Sequence, residues 1–199
     1  LESDRRHPAA EQKISVYGVK MKRATAPKIA LPNLPNKIWV GVDNGVSGTI
    51  GWSGYHNNIH IYGQIKTPTF SELKYTKAKA NVTRINVKLL KDFLEPLQQK
   101  GQLSILLERP MVNPGRFQAS ISAMRALEAT LNVLEFLEIS HQYIDSKQWQ
   151  KIMLPSGLKG ADQLKKASLS IGKRLFPSVD CKPDADGILI AEWARRTNI

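Results

Sequence analysis

The sequence predicts an α/β protein built on a five-stranded mixed sheet, with three antiparallel strands first, βα units after them, and helices on both faces. Three observations carry this. Short apolar or alternating runs crowd residues 38–65 with only turns between them. Beyond them the apolar period switches to three and four, and helical stripes alternate with short apolar runs. The length of 199 residues suits one domain, at most one domain plus a tail, and 42% hydrophobic residues are enough to fill a single core.

The elements follow in order. Residues 1–36 have no sustained period, are broken by Pro8, Pro27, Pro32 and Pro35, and read as a mobile basic arm. Leu1 in first place leaves two origins for that arm, a processed leader or appended residues, with Met21 a candidate natural start; its poverty in acids also fits a transit remnant. The folded domain is expected over 37–199. Ile38–Val42 is an apolar run entering the turn Asp43-Asn44-Gly45, so it reads as a buried strand. Thr49–Trp52 is a second strand, and the alternation Ile59, Ile61, Gly63, Ile65 is a third. Val82, Ile85, Leu89, Leu90, Phe93, Leu94 and Leu97 predict a helix closed by Gly101. Leu103–Leu107 is a strand ending in Glu108. Phe117, Ile121, Met124, Leu127, Leu131, Leu134 and Leu137 trace a long helix. His141–Ile144 is a short strand, and Asp145 or Ser146 caps a helical turn containing Trp149. Helices over 161–175, stopped by Pro177, and over 184–196 complete the chain.

Composition excludes several classes. A lone Cys181 rules out a disulfide framework and any zinc finger or ribbon. No run approaches the ~18 apolar residues of a membrane span. The loud signal is charge: 29 Lys+Arg against 17 Asp+Glu give +12. An excess of this size favours a polyanionic partner, nucleic acid before a membrane surface. Residues 1–38 hold eight bases and three acids (+5), so the rest of the chain keeps +7.

The acids that remain fall in telling places. Asp43 and Glu108 each end a predicted strand, where sheets with βα crossovers place their ligand sites. If the two strands are parallel neighbours, the carboxylates become adjacent and repel unless a cation lies between them. Carboxylate oxygens suit magnesium or manganese rather than zinc. A third acid is available from Asp184 or Asp186 before the apolar run Ile188–Ala191. The plainer readings also stand: Asp43-Asn44-Gly45 as an ordinary hairpin turn, and Asp184 as a helix cap.

The stretch Trp39–Gly48 resembles the first motif of RuvC-type Holliday-junction resolvases. Leu106-Leu107-Glu108-Arg109-Pro110 looks like their second, and Asp184–Ala191 like their closing acidic helix. Ser146–Trp149, Lys165–Ser168 and Leu175–Ser178 are similar to the plant chloroplast branch of that family. The resemblance covers about residues 37–196 and implies an RNase H-like fold. It also implies a homodimeric, structure-selective endonuclease acting on branched DNA, with four carboxylates and two Mg²⁺ (Mn²⁺ as a substitute) per protomer. The setting it implies is an intracellular, DNA-containing compartment, whether a bacterial or phage-infected cytoplasm or an organelle. By position Asp43 matches the bridging aspartate, Glu108 the second acid and Asp186 the acid opening the last helix. The family's fourth acid falls on Pro183 or Lys182, so Asp184 is the nearest substitute and Asp180 a weaker one. The family's aromatic wedge falls on Met111, leaving an aliphatic wedge or Phe117 in its place.

Basic groups complete the expectation. Lys159 and Lys165 are candidates to stabilise charge on a scissile phosphate, with Lys166 beside them as a phosphate contact. Lys74, Lys77, Lys79, Arg84, Lys88 and Lys91 suggest a basic stripe over 72–92, and Arg109 and Arg116 flank the loop after Glu108. Two rivals remain. Gly41–Thr49 also looks like the first phosphate loop of actin-like ATPases and sugar kinases, although no second such loop follows. The missing fourth acid also suits a non-catalytic nucleic-acid-binding module, and the same scaffold serves nucleases of other substrates.

Overall fold

Alternation along the first strand sets the layers. In Lys37–Val42 the side chains of Ile38, Val40 and Val42 enter one core, while Trp39 enters the other. The computed structural model describes residues 36–74 and 79–199, and these belong to one compact unit spanning Asn33–Ile199. The strands in chain order are β1 (Lys37–Val42), β2 (Thr49–His56), β3 (Ile59–Lys66), β4 (Thr69–Leu73), β5 (Asn81–Ile85), β6 (Gln102–Glu108) and β7 (His141–Ile144). The helices are α1 (Val87–Lys100), α2 (Phe117–Phe136), α3 (Ser146–Met153), α4 (Gly160–Leu175) and α5 (Asp186–Thr197), with a short 3-10 turn at Pro114–Arg116. The main sheet runs β3-β2-β1-β6-β7: β2 is antiparallel to both its neighbours, and β6 and β7 continue parallel to β1. This is the mixed five-stranded sheet expected from the sequence.

One face of the sheet is covered by α1 and α2. Ile38, Val40, Ile105 and Leu107 meet Leu90, Leu94, Leu127 and Leu134 there. The other face is covered by α3, α4 and α5, where Trp39 and Leu106 meet Trp149, Ile188, Leu189 and Trp193. α5 reaches the sheet more closely than side chains would allow. A Cβ on Gly41 would stand 2.3 Å from the Gly187 carbonyl oxygen, and one on Gly51 would stand 2.2 Å from the Ile188 Cα. The glycines of β1 and β2 thus let the first turn of α5 sit directly on the sheet. That contact carries Asp186 to the end of β1.

The structure departs from the sequence expectation over residues 69–86, where β4 has no expected counterpart and β5 replaces the start of a helix. The helix expected from Val82 begins at Val87, capped by the Asn86 side chain, which accepts the Leu89 N–H. Val82 and Ile85 instead lie on β5, which pairs antiparallel with β4 as a separate hairpin. Their three-residue spacing satisfies a helix, but Val82, Thr83 and Ile85 are β-branched, and Asn86 offers a cap that starts the helix later. The expected basic stripe is therefore divided. Lys74, Lys79 and Arg84 belong to the hairpin region, whereas Lys88 and Lys91 lie on α1 and pair with Asp92 and Glu95 one turn on. Lys77 and residues 1–35 of the expected arm lie outside the described residues. Asn36, expected in the arm, joins the fold through bonds from the Gln102 and Asn57 amides.

Candidate metal centre

Val42 pairs with Leu107 in the parallel register, so the next residue of each strand stands at the same end of the sheet. Those residues are Asp43 and Glu108. The first turn of α5 brings Asp184 and Asp186 against them. Oxygens of Asp43, Asp184 and Asp186 all lie within 4.8 Å of one another. Glu108 hydrogen-bonds and repels Asp43 from the adjoining strand.

Three of the four carboxylates, those of Glu108, Asp184 and Asp186, accept hydrogen bonds from neighbouring side chains. The Trp149 indole donates to Glu108 Oε1 at 3.1 Å, and both groups are buried. Thr49 Oγ1 donates to Asp184 Oδ1 at 3.1 Å while accepting the Gly187 N–H at 3.0 Å. The Ser168 hydroxyl donates to Asp186 Oδ1 and accepts the Ala185 N–H. Gln64 clamps the same turn, donating to the Asp184 carbonyl and accepting the Ile188 N–H. Asp184 does serve as a partial cap, accepting the Asp186 N–H at 3.4 Å, but its position within the acidic cluster goes beyond capping. Thr49, Gln64, Trp149 and Ser168 have no candidate role from sequence. Trp149 and Ser168 fall in the stretches similar to the plant chloroplast branch and Thr49 in the phosphate-loop-like stretch, whereas Gln64 left no trace.

The electrostatics are those of an uncompensated anionic pocket. Burial holds Asp43 well above the ordinary carboxylate range, and the charges of Glu108, Asp186 and Asp184 add to the effect. Burial also pushes Asp186 up to about 7, against the opposing Ser168 hydrogen bond. The cation paired with the cluster is Lys165, whose Nζ lies 3.8 Å from Asp184 Oδ2 with 58% of its side chain exposed. Lys159, expected beside it, is exposed at the start of α4 and makes no ion pair among the described residues; its N–H bonds Gln163 instead. It precedes Gly160, whose positive φ turns the chain into the helix. Lys166 is exposed on α4. Asp180 is exposed and occupied by the Lys182 N–H.

Four oxygen-donor groups without nitrogen or sulfur partners fit hard divalent cations such as Mg²⁺ or Mn²⁺. Beside Asp43 and Glu108 opens a cavity of about 320 Å³ lined by Asn44, Arg109, Met111, Asn113 and Arg116. Met111 is 80% exposed at its edge. Arg109 is tied to Asp145 at 3.3 Å and lies over the Tyr143 ring. Phe117, 64% exposed, faces a different cleft, between α2 and the β4–β5 hairpin.

Among the solved structures similar to this chain are two of a RuvC protein. T. thermophilus RuvC in complex with a Holliday junction substrate is 12% identical, with a TM-score of 0.48, over 81% of this chain and 94% of that one. T. thermophilus RuvC alone is 13% identical, with a TM-score of 0.45, over 81% and 96%. No family model matches the chain, and no curated protein matches it.

Proposed function

We propose that the chain is a metal-dependent endonuclease that resolves four-way DNA junctions, acting as a homodimer with two Mg²⁺ or Mn²⁺ ions per protomer. The observation that carries this reading is the convergence of Asp43, Asp184 and Asp186, with Glu108 beside Asp43, at one end of an RNase H-like sheet, where Glu108 and Asp184 are buried, Asp43 and Asp186 are half-buried, and the charges bear on one another. Divalent cations bound there supply Lewis acidity toward a phosphate oxygen and an activated water.

The chain's own residues do the rest. Trp149 fixes the orientation of Glu108, Thr49 that of Asp184, and Ser168 that of Asp186. Lys165 stands at the rim, where it can exchange its contact with Asp184 for a phosphate oxygen. Arg109, Arg116 and Met111 line the adjoining cavity, where they would meet the backbone and bases next to the cut. The phosphate-loop alternative loses support from the β1–β2 turn. Its Asp43 and Gly48 amides are already bonded to Thr49 and Gly45 carbonyls, and a Cβ on Gly48 would stand 2.1 Å from the Asp43 carbonyl oxygen.

The test is cleavage of a synthetic four-way junction in Mg²⁺ beside nicked duplex and an RNA–DNA hybrid. The reading expects the junction to be cut first. It expects Asp43→Asn and Glu108→Gln to lose more than the ~10–100-fold that outer-shell changes cost. A wild-type protein that cuts none of these substrates leaves only a binding role, and preference for the hybrid reassigns the substrate.

A further inference from the structure

The β4–β5 hairpin stands apart from the main sheet and leaves a cleft against α2 that the acidic centre does not use. Two adjoining cavities of about 340 and 640 Å³ make up this cleft, with Val46, Thr83, Ser122 and Arg125 lining both. Val46 lies three residues past Asp43 in the β1–β2 turn, so the cleft begins beside the acidic end of the sheet. Two aromatic rings stand open in it: Phe70 from β4, 40% exposed, and Phe117 from the start of α2, 64% exposed. The Arg84 guanidinium lies 5.9 Å from the Phe70 ring centroid and also pairs with Glu72. Lys74 and Arg125 line the cleft without a carboxylate partner among the described residues, and Glu128 is its one lining acid.

Exposed aromatic rings among unpaired cations suit a strand whose bases are free. A duplex offers phosphates to such a wall but leaves the rings with nothing to stack on. An apolar peptide gains nothing from the lysine and arginines. An unpaired strand uses both, bases on rings and phosphates on cations.

We propose that the cleft between the β4–β5 hairpin and α2 is a second nucleic-acid site that takes unpaired nucleotides, stacking bases on Phe70 and Phe117 and holding phosphates with Lys74 and Arg125. Its placement beside the acidic end rests on the nuclease reading only for the source of the strand, which would be nucleotides unpaired at the branch point.

Binding is measured without cleavage, in EDTA, by fluorescence anisotropy of a labelled oligothymidylate and of the same sequence as a duplex. The wild type should prefer the single strand. Phe70→Ala/Arg125→Ala should weaken oligothymidylate binding by roughly 10-fold or more, in line with the loss of one stacked base and one phosphate contact. Phe70→Trp should retain it. Both altered side chains are exposed, and a thermal melt of the double variant checks its fold. Independently of any variant, photocrosslinking of the wild type to an oligonucleotide carrying 5-iododeoxyuridine should label the peptides containing Phe70 or Phe117. Unchanged affinity in a folded double variant, crosslinks confined elsewhere, or equal binding of the duplex overturns the proposal. Failure of the wild type to cut junctions in Mg²⁺ would sink the nuclease reading and leave this binding result standing, so the two are separable.

Discussion

Asp186 and Glu192 lie on the same helix and are driven in opposite directions. Burial disfavours ionisation of Glu192, yet bonds from Arg195, Arg196 and Ser53 outweigh it and hold its carboxyl down to about 2. Asp186 has only the Ser168 hydroxyl and the nearby charge of Lys165 to oppose it, and burial pushes it up to about 7 from an ordinary 3.8. Between those last two values the folded chain holds a proton that the unfolded chain has released. The stability tied to Asp186 is therefore full below about pH 4 and is lost as pH rises through about 7. In EDTA, thermal melts should show the wild type weakening from pH 5 to 8, and Asp186→Asn should be the more stable protein at pH 8, by roughly 2–4 kcal/mol. Mg²⁺ should stabilise the wild type at pH 8 and do little for the variant. A wild type that gains stability with pH in EDTA would contradict the uncompensated pocket. Trp149 gives a second prediction. Trp149→Phe keeps the buried ring but removes the donor to Glu108, so Mn²⁺ affinity by calorimetry should fall ~10–100-fold. Loss of the bond to a buried carboxylate should also cost about 1–3 kcal/mol of stability.

At the scale of elements, the contact between α5 and the sheet positions the acids. Gly51→Ala would drive a methyl into the Ile188 backbone, which lies in the buried stretch Gly187–Ala194 of α5 and has little room to yield. The cost should be roughly 1–3 kcal/mol or more, read as a lowered Tm. Because the shift falls in the first turn of α5, Mg²⁺ should rescue less stability than in the wild type. Much of this architecture was legible in the sequence. The apolar run ending in Asp43 and the mostly apolar run Leu103–Leu107 ending in Glu108 were sufficient to suggest parallel neighbours with adjacent acids. The hairpin was not legible, because Val82 and Ile85 fit a helical stripe as well as a strand, and their pairing with residues 69–73 is a tertiary fact. Nor could spacing separate Lys159 from Lys165. The first stays exposed before the turn at Gly160, while the second reaches Asp184.

At the scale of the whole molecule, described cations flank a negative centre. The described cations nearest function lie at the rim of the acidic site (Lys165), along its adjoining cavity (Arg109, Arg116) and on the hairpin side of α2 (Lys74, Arg125). Under the proposed nuclease reading such a surface would attract DNA broadly, while the acidic pocket would admit a phosphate only once cations neutralise it. Resolution of a junction further needs two such centres acting on opposing strands, which is the role proposed for the homodimer. The most direct measurement uses a supercoiled plasmid with an extruded cruciform, incubated with the protein in Mg²⁺. Paired cuts across the junction should convert it to linear DNA with nicks placed symmetrically about the branch, and Asp43→Asn should leave it supercoiled. Nicked circles without linear product, or an intact cruciform, would contradict the proposed resolvase.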